Sequence, residues 1–199
     1  MVSLIKHTLK ALIYGIVGGL IVFILVFVLF LESRPKLKIW HQAELDAEFT
    51  ADTPVQSFED YLALEKQLFD QLDERVFTRI PTEDRNLINR YHRGSLSDPG
   101  RWSPNGNRTF ELSTDAPKAG VLLLHGMSDS PYSLRNLGRR LHSAGAWVIG
   151  LRLPGHGTAP SGLLQMEWED MAAAVRLVMR HLSTKVGDRP IYIVGYSNG

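Results

Sequence analysis

The hydrophobic residues of this chain fall into one long block and several short ones. From Ala11 to Leu31 no residue is charged, and Val, Phe, Leu and Ile occupy every face that a helix could present. At about 1.5 Å per helical residue the block is about 30 Å long, which is the thickness of a bilayer core. It predicts a membrane-spanning anchor, residues 11–31, behind a short N-terminal flank, residues 1–10.

A secretory signal peptide is the alternative interpretation of this block. The apolar region of a signal peptide is usually about 7–15 residues long and is followed by small residues at a cleavage site. Here the block is longer and ends on bulky Leu31, so we interpret it as an uncleaved anchor. Basic residues flank both of its ends almost equally, which leaves the orientation open. Anchors of this shape commonly export the domain on their C-terminal side, and we expect a membrane protein with an exported, extracytoplasmic domain.

The region between the block and residue 107 is polar and rich in turn residues, apart from one amphipathic stretch. In Ser57–Phe77 the apolar residues recur at near-helical spacing, and Ser57 and Asp60 occupy the two positions of a capping box. We predict this helix within a helical and polar linker region, residues 32–107. The part up to about Thr53 is expected to be a tether or a loosely packed helix. Binding of a partner by the amphipathic helix is an alternative to ordinary packing.

From residue 108 to residue 199 short apolar runs alternate with helical patterns. Arg108–Ser113 alternates like a strand, and three continuous apolar runs predict strands covered on both faces: Val121–His125, Ala146–Arg152 and Ile191–Gly195. Helical stretches at 130–145, with Ser130 as N-cap, and at 167–184 separate these runs. Such alternation is typical of an α/β fold with a mostly parallel, doubly wound sheet, which we assign to residues 108–199.

Composition removes several function classes. The 22 Lys and Arg nearly balance the 21 Asp and Glu, without a dense basic run, so nucleic acid is not an expected partner. The chain has no cysteine, which excludes disulfides, thiolate metal sites and a cysteine nucleophile. No spacing of His, Asp and Glu indicates a metal site, and no cofactor is expected. The oligomeric state is left open.

The last residues of the sequence carry the strongest chemical signal. Gly195–Gly199 has the pattern G-x-S-x-G directly after an apolar run, and we call it the elbow. A serine hydroxyl needs a base and oxyanion donors to act as a nucleophile, and a sharp strand-to-helix turn lifts it toward both. The turn is crowded, so Gly195 and Gly199 suit the positions two residues before and after Ser197. The amide of Asn198 is expected to donate to the oxyanion.

Two further loops leave from the same edge of the predicted sheet, where ligands bind in open parallel sheets. In the HGM loop (His125–Pro131) Gly126 allows the turn that aims the Met127 amide at the oxyanion. We expect His125 to make a structural hydrogen bond rather than act as a base, and Asp129 to cap the neighbouring helix. The PGHG loop (Leu153–Pro160) contains His156, for which we expect a loop-shaping role.

Together these segments resemble the α/β-hydrolase superfamily. The similarity covers residues 108–199 and is carried by VLLLHGMSDSPYSLRNLGRRL, GLRLPGHGTAP and IYIVGYSNG, in that order. It is greatest to the branch of carboxylesterases, lysophospholipases, monoacylglycerol lipases and serine aminopeptidase-like hydrolases. The resemblance implies a Ser-His-Asp mechanism in which Ser197 attacks an ester carbonyl and the Met127 and Asn198 amides hold the oxyanion. Lysophospholipids or monoacylglycerols are plausible substrates beside a membrane.

The resemblance also implies that the acid and the histidine of the triad come after the nucleophile. The sequence ends at Gly199, so we expect it to be a fragment with little or no hydrolase activity. Two alternatives to an esterase stay open. One is a peptidase or acyltransferase on the same fold, and the other is a membrane-tethered, non-catalytic binding module.

Overall fold

The computed structural model describes residues 2–197 and 199 and divides the chain into two compact units. The first unit extends to Leu37, and the second is Lys38–Gly199. In the first unit α1 (Val2–Glu32) is one continuous helix that contains the predicted span and extends into the predicted flank. Within the described residues, Lys6–Glu32 is the one helix that is long and apolar enough to cross a membrane. Its mean hydropathy of 3.0 agrees with the apolar block of the sequence.

The second unit begins with helices that precede the sheet. The short helix α2 (Ile39–Gln42) is followed by α3 (Phe58–Arg75), which confirms the predicted amphipathic helix. Its capping box forms as expected: the Asp60 amide donates to the Ser57 hydroxyl at 3.0 Å, and the Ser57 amide donates to the Asp60 carboxylate at 3.2 Å. Short 3₁₀ turns connect it to the sheet: Phe77–Arg79, Thr82–Asp84 and Pro99–Arg101.

Among the described residues, four strands form a single mixed sheet in the order β1-β3-β2-β4. They are β1 (Phe110–Leu112), β2 (Ala119–Leu124), β3 (Ala146–Leu151) and β4 (Ile191–Gly195). The strands β2, β3 and β4 are parallel, and β1 pairs with β3 in the antiparallel direction. These four strands match the alternating segment and the three apolar runs of the sequence.

Helices cover both faces of β2 and β3, as their continuous apolar runs indicate. The prediction of a covered strand is wrong for β4, which lies at the edge of the described sheet with Tyr192 and Ile193 more than half exposed. Leu122 and Leu124 pack with α5 (Trp168–Val186), whereas Val121 and Leu123 face the side of α4 (Arg135–Ser143). Because neighbouring residues of a strand point to opposite faces, β2 has to be apolar at every position to serve both layers. The sheet is therefore doubly wound, as predicted.

Residues 38–107 are more tightly integrated than a linker. Phe49, Phe58 and Tyr61 are buried in one core with strand residues such as Ile149. A second core joins the start of the unit, through Leu45 and its neighbours, to the buried side of α3. Many of the apolar residues in the first half of this stretch are therefore buried in a core. The segment expected to be a tether is thus a layer of the same compact unit.

Candidate active site

Three parallel strands end at the same level and bring the predicted loops together. Leu124 at the end of β2 lies opposite Leu151 of β3 on one side and Gly195 of β4 on the other. The HGM loop, the PGHG loop and the elbow therefore leave from one edge of the sheet. This is the edge at which open α/β sheets bind ligands.

The elbow is a tight turn with an unusual backbone at its serine. Ser197 has a φ of +60°, a left-handed conformation that costs a side-chain-bearing residue energy and is concentrated at functional sites. The Tyr196 amide donates to the Leu124 carbonyl at 3.1 Å, and the Gly199 amide donates to the Tyr196 carbonyl at 3.1 Å. These bonds tie the turn to β2 and close it on itself. Ser197 lies in this turn and not within a strand.

The packing of the elbow leaves no room for a side chain at Gly195 or Gly199. A Cβ atom on Gly195 would overlap the carbonyl group of Gly199, and one on Gly199 would overlap the Leu124 carbonyl oxygen. A Cβ on Gly126 would lie 3.1 Å from the Cβ of Ser197. The HGM loop therefore passes directly beside the serine, and a glycine makes this approach possible.

The HGM loop turns sharply beyond this glycine. The Asp129 amide donates to the Gly126 carbonyl at 3.2 Å, and Ser128 has a φ of +54°. Within the described residues the Met127 amide donates no hydrogen bond, so it is available to a ligand. Asn198, the second predicted donor, lies outside the described residues.

The end of the HGM loop differs in detail from the prediction. The Ser130 hydroxyl makes no cap bond and instead donates to the Asn107 side chain at 2.8 Å, because the chain first forms a 3₁₀ turn, Pro131–Leu134, ahead of α4. Ser130 thus occupies the predicted N-cap position, with Pro131 first in the turn, but its hydroxyl does not cap the turn. The Asp129 carboxylate accepts bonds from the Ser130 amide at 2.7 Å and from the Ser133 hydroxyl at 2.6 Å. It thus stabilises the start of this turn.

Both ring nitrogens of His125 bind the backbone. Nε2 accepts from the Leu153 amide at 3.1 Å, so the proton is on Nδ1, which donates to the Gly126 carbonyl at 2.9 Å. Burial lowers the pKa of this imidazole to about 4, so it is neutral near pH 7. The ring has no free lone pair with which to accept a proton from a serine. It ties the HGM loop to the PGHG loop.

His156 is buried beside this ring. The two imidazoles meet edge to face with centroids 5.1 Å apart, and Nδ1 of His156 lies 2.8 Å from the Pro154 carbonyl. Burial lowers its pKa as well. Its Nε2 atom has no hydrogen-bond partner within the described residues.

A buried ion cluster under the PGHG loop was not predicted. The Arg152 guanidinium is 1% exposed and binds the Glu48 carboxylate through two bonds of 2.8 and 3.1 Å. Its Nε donates to Glu65 at 3.2 Å, and its Nη1 also donates to the His156 carbonyl at 3.0 Å. Burial acts to lower the pKa of Arg152, but Glu48 and the other groups around it raise it above its usual value.

Further bonds join this cluster to β1 and α3. The Tyr61 hydroxyl donates to the Arg152 carbonyl at 2.6 Å, and the Arg152 amide donates to the Thr109 hydroxyl at 3.0 Å. The Thr109 hydroxyl in turn donates to Glu65 at 2.7 Å. One signal in the sequence could have revealed this cluster. Glu65 comes four residues after Tyr61 and therefore lies on the apolar face of α3, where an unpaired carboxylate would be costly.

A cavity of about 290 Å³ opens beside the HGM loop. On one side it is lined by Ser128, Asp129 and Ser130, and on the other side by residues 96–99 and Trp102.

The match to a protein family agrees with this architecture. Residues 115–199 match the family model described as serine aminopeptidase, S33. A solved structure of one of LipS and LipT, two metagenome-derived lipolytic enzymes, is 30% identical, with a TM-score of 0.42. That match covers 46% of this chain and 36% of the other. No curated protein matches the chain.

The family match and the doubly wound sheet confirm the α/β-hydrolase fold predicted for this part of the chain. The match begins at residue 115 and so leaves Glu48, Glu65 and the rest of the preceding layer outside it. The roles assigned to Ser197, Met127 and Asn198, and the domain boundaries at residues 31 and 107, stay predictions.

Proposed function

We propose that this polypeptide supplies the nucleophile of a serine hydrolase that cleaves carboxylic esters. The observation that carries the proposal is the positive φ of Ser197 between two glycines that admit no side chain. A strained serine in the sharp turn that follows a parallel strand, here β4, is the arrangement that α/β-hydrolases use to expose a nucleophile. The neighbouring HGM loop supports the same interpretation.

In the proposed reaction the Ser197 hydroxyl attacks the ester carbonyl and its proton passes to a base. The carbonyl oxygen becomes an oxyanion, which the Met127 and Asn198 amides stabilise. The alcohol then leaves with a proton, and water hydrolyses the acyl-enzyme to the acid and free Ser197. Within the described residues the Met127 amide donates no hydrogen bond, which supports this assignment, since a donor already engaged in the fold could not serve.

We assign the base to neither His125 nor His156. His125 uses both ring nitrogens on the backbone, and the buried His156 packs edge to face against the His125 ring, with its Nδ1 2.8 Å from the Pro154 carbonyl. A histidine and an acid later in a longer polypeptide fit the order of residues in this superfamily.

The helix α1 supports a membrane location for the enzyme. Its apolar length suits a single-pass anchor, and a hydrolase held at a bilayer has lipid-derived esters within reach. Lysophospholipids and monoacylglycerols are the substrates that we propose.

An ester panel on the full-length protein tests this function. We expect hydrolysis of p-nitrophenyl butyrate and of a monoacylglycerol, and loss of both activities in Ser197→Ala. The matched control is Ser183→Ala, which removes an exposed hydroxyl on α5 and should keep both. Unchanged ester hydrolysis in Ser197→Ala would overturn the assignment. A full-length protein that binds lipid esters without cleaving them would be a binding module.

A further inference from the structure

Residues 85–102 carry an unusual set of exposed apolar side chains. Leu87, Ile88, Leu96 and Trp102 are between 58% and 78% exposed. Single exposed apolar residues are ordinary, whereas a group of them indicates an interaction site. We call this segment the 85–102 surface.

The group is connected in space. The Leu96 amide donates to the Leu87 carbonyl at 2.8 Å, so two of these residues are backbone neighbours. Leu96 and Trp102 line the same cavity beside the HGM loop. The apolar side chains therefore extend from an exposed turn to the mouth of that cavity.

The same surface is positively charged. It contains four arginines, all exposed, and one acid, Asp98, which gives a formal charge of 4 − 1 = +3. Asp98 is buried and accepts bonds from the Gly94 and Gly100 amides, both at 2.8 Å, so its charge is directed inward. Arg93 pairs with Asp73. Within the described residues the other three arginines, Arg85, Arg90 and Arg101, have no carboxylate partner.

We infer that the 85–102 surface docks onto a membrane that contains anionic lipids. Arginines attract lipid phosphates, while tryptophan and aliphatic side chains enter the boundary between headgroups and acyl chains. A nucleic acid would use the charges but not the exposed Leu87 and Ile88. The inference rests on the anchor of the proposed function, because α1 ends at Glu32 and the second unit starts at Lys38, only five residues (33–37) later.

Docking of this surface has a consequence for catalysis. Since Leu96 and Trp102 also line the cavity beside Asp129, a lipid that leaves the bilayer here enters next to the predicted oxyanion loop. The surface would thus deliver ester substrates from the membrane to the elbow without passage through water.

The absence of cysteine allows a clean test on the full chain. Leu96→Cys, labelled with an environment-sensitive nitrobenzoxadiazole dye, is reconstituted in vesicles of phosphatidylcholine with or without phosphatidylglycerol. In the anionic vesicles we expect a blue-shifted emission and about twofold stronger quenching by brominated lipids. Ser183→Cys on α5 is the matched control and should report water in both kinds of vesicle.

Charge reversal then tests the role of the arginines. Arg90→Glu with Arg101→Glu should abolish the difference between the two vesicles, whereas Arg180→Glu with Arg189→Glu on another exposed region should preserve it. If the dye at position 96 reports an aqueous environment while the chain is bound to the membrane, the 85–102 surface does not dock and the inference is wrong. If the dye signal is the same in vesicles with and without phosphatidylglycerol, docking does not depend on anionic lipids and that part of the inference is wrong.

The same experiment separates the failure of docking from the failure of the proposed function. If carbonate-washed vesicles do not retain the chain, both the anchor and the docking surface are wrong. If the chain is retained and the dye responds but Ser197 is inert, the docking surface stands and the hydrolase proposal is wrong.

Discussion

Glu48 and Arg152 lie 104 positions apart in the chain and form a paired ion contact, with bonds of 2.8 and 3.1 Å. Glu48 belongs to the layer that precedes the family match, and Arg152 leads into the PGHG loop. Through this contact a segment outside the hydrolase core helps to fix a loop at the candidate active site. The layer at residues 38–107 is thus part of the support of the site.

Loss of this contact should destabilise the fold. Arg152→Met leaves the carboxylates of Glu48 and Glu65 without their cation in the interior, for which we expect a loss of about 3–5 kcal/mol in the free energy of unfolding. Asp70→Asn is the matched control, because it removes an exposed pair with Lys66 and should cost under about 1 kcal/mol. Urea unfolding of the chain in detergent measures both, and equal small effects would contradict the structural role.

Stability should fall in acid because of His125. Burial lowers its pKa from 6.5 to about 4, so between these values the unfolded chain binds a proton that the folded chain refuses. The free energy of unfolding should decrease by about 1.4 kcal/mol per pH unit as the pH falls through this window. Urea unfolding at several pH values measures the slope. His125→Asn should reduce it, and a slope that survives the substitution would assign the effect to other groups.

Gly199→Ala should strongly slow ester hydrolysis by the full-length protein. Its Cβ would collide with the Leu124 carbonyl, so the elbow has to open and Ser197 moves from its position. Misplacement of about 1 Å is enough for a loss on the order of 100-fold in kcat. Gly18→Ala in α1, where a Cβ meets no atom within 4 Å, is the control and should keep its activity. A Gly199→Ala enzyme of normal kcat would show that the tight turn is not needed.

Ser197→Gly should be more stable than Ser197→Ala, and both variants should be inactive. Glycine adopts a φ of +60° without the penalty that a side chain brings, so we expect a gain of about 1 kcal/mol in the free energy of unfolding over Ser197→Ala. Thermal or urea unfolding of the two inactive variants, side by side, measures the difference. A Ser197→Gly variant less stable than Ser197→Ala would contradict strain at this residue.

The sequence predicts the local elements because their signals are local. The capping box at Ser57 and the continuous apolar runs of β2, β3 and β4 need only a few neighbouring residues, and the G-x-S-x-G of the elbow is equally compact. The ion cluster of Arg152 depends instead on partners 87 and 104 positions away. The periodic pattern of hydrophobic residues carries no information about pairings between such distant positions. The same limit explains why the pattern at residues 38–107 indicates a polar linker.

The position of Ser130 shows a different limit. Its sequence context, a serine before proline, suits an N-cap, but its hydroxyl finds Asn107 from another part of the chain. Local preference for a cap is worth about 1 kcal/mol and yields to such a tertiary contact.

Labelling of the full-length protein with a fluorophosphonate probe, followed by peptide mapping of the adduct, tests the central claim most directly. The strained turn at Ser197 predicts a single adduct on that hydroxyl, lost in Ser197→Ala and kept in Ser183→Ala. An adduct on another serine, or no adduct in a folded full-length protein, would contradict the claim that Ser197 is the nucleophile.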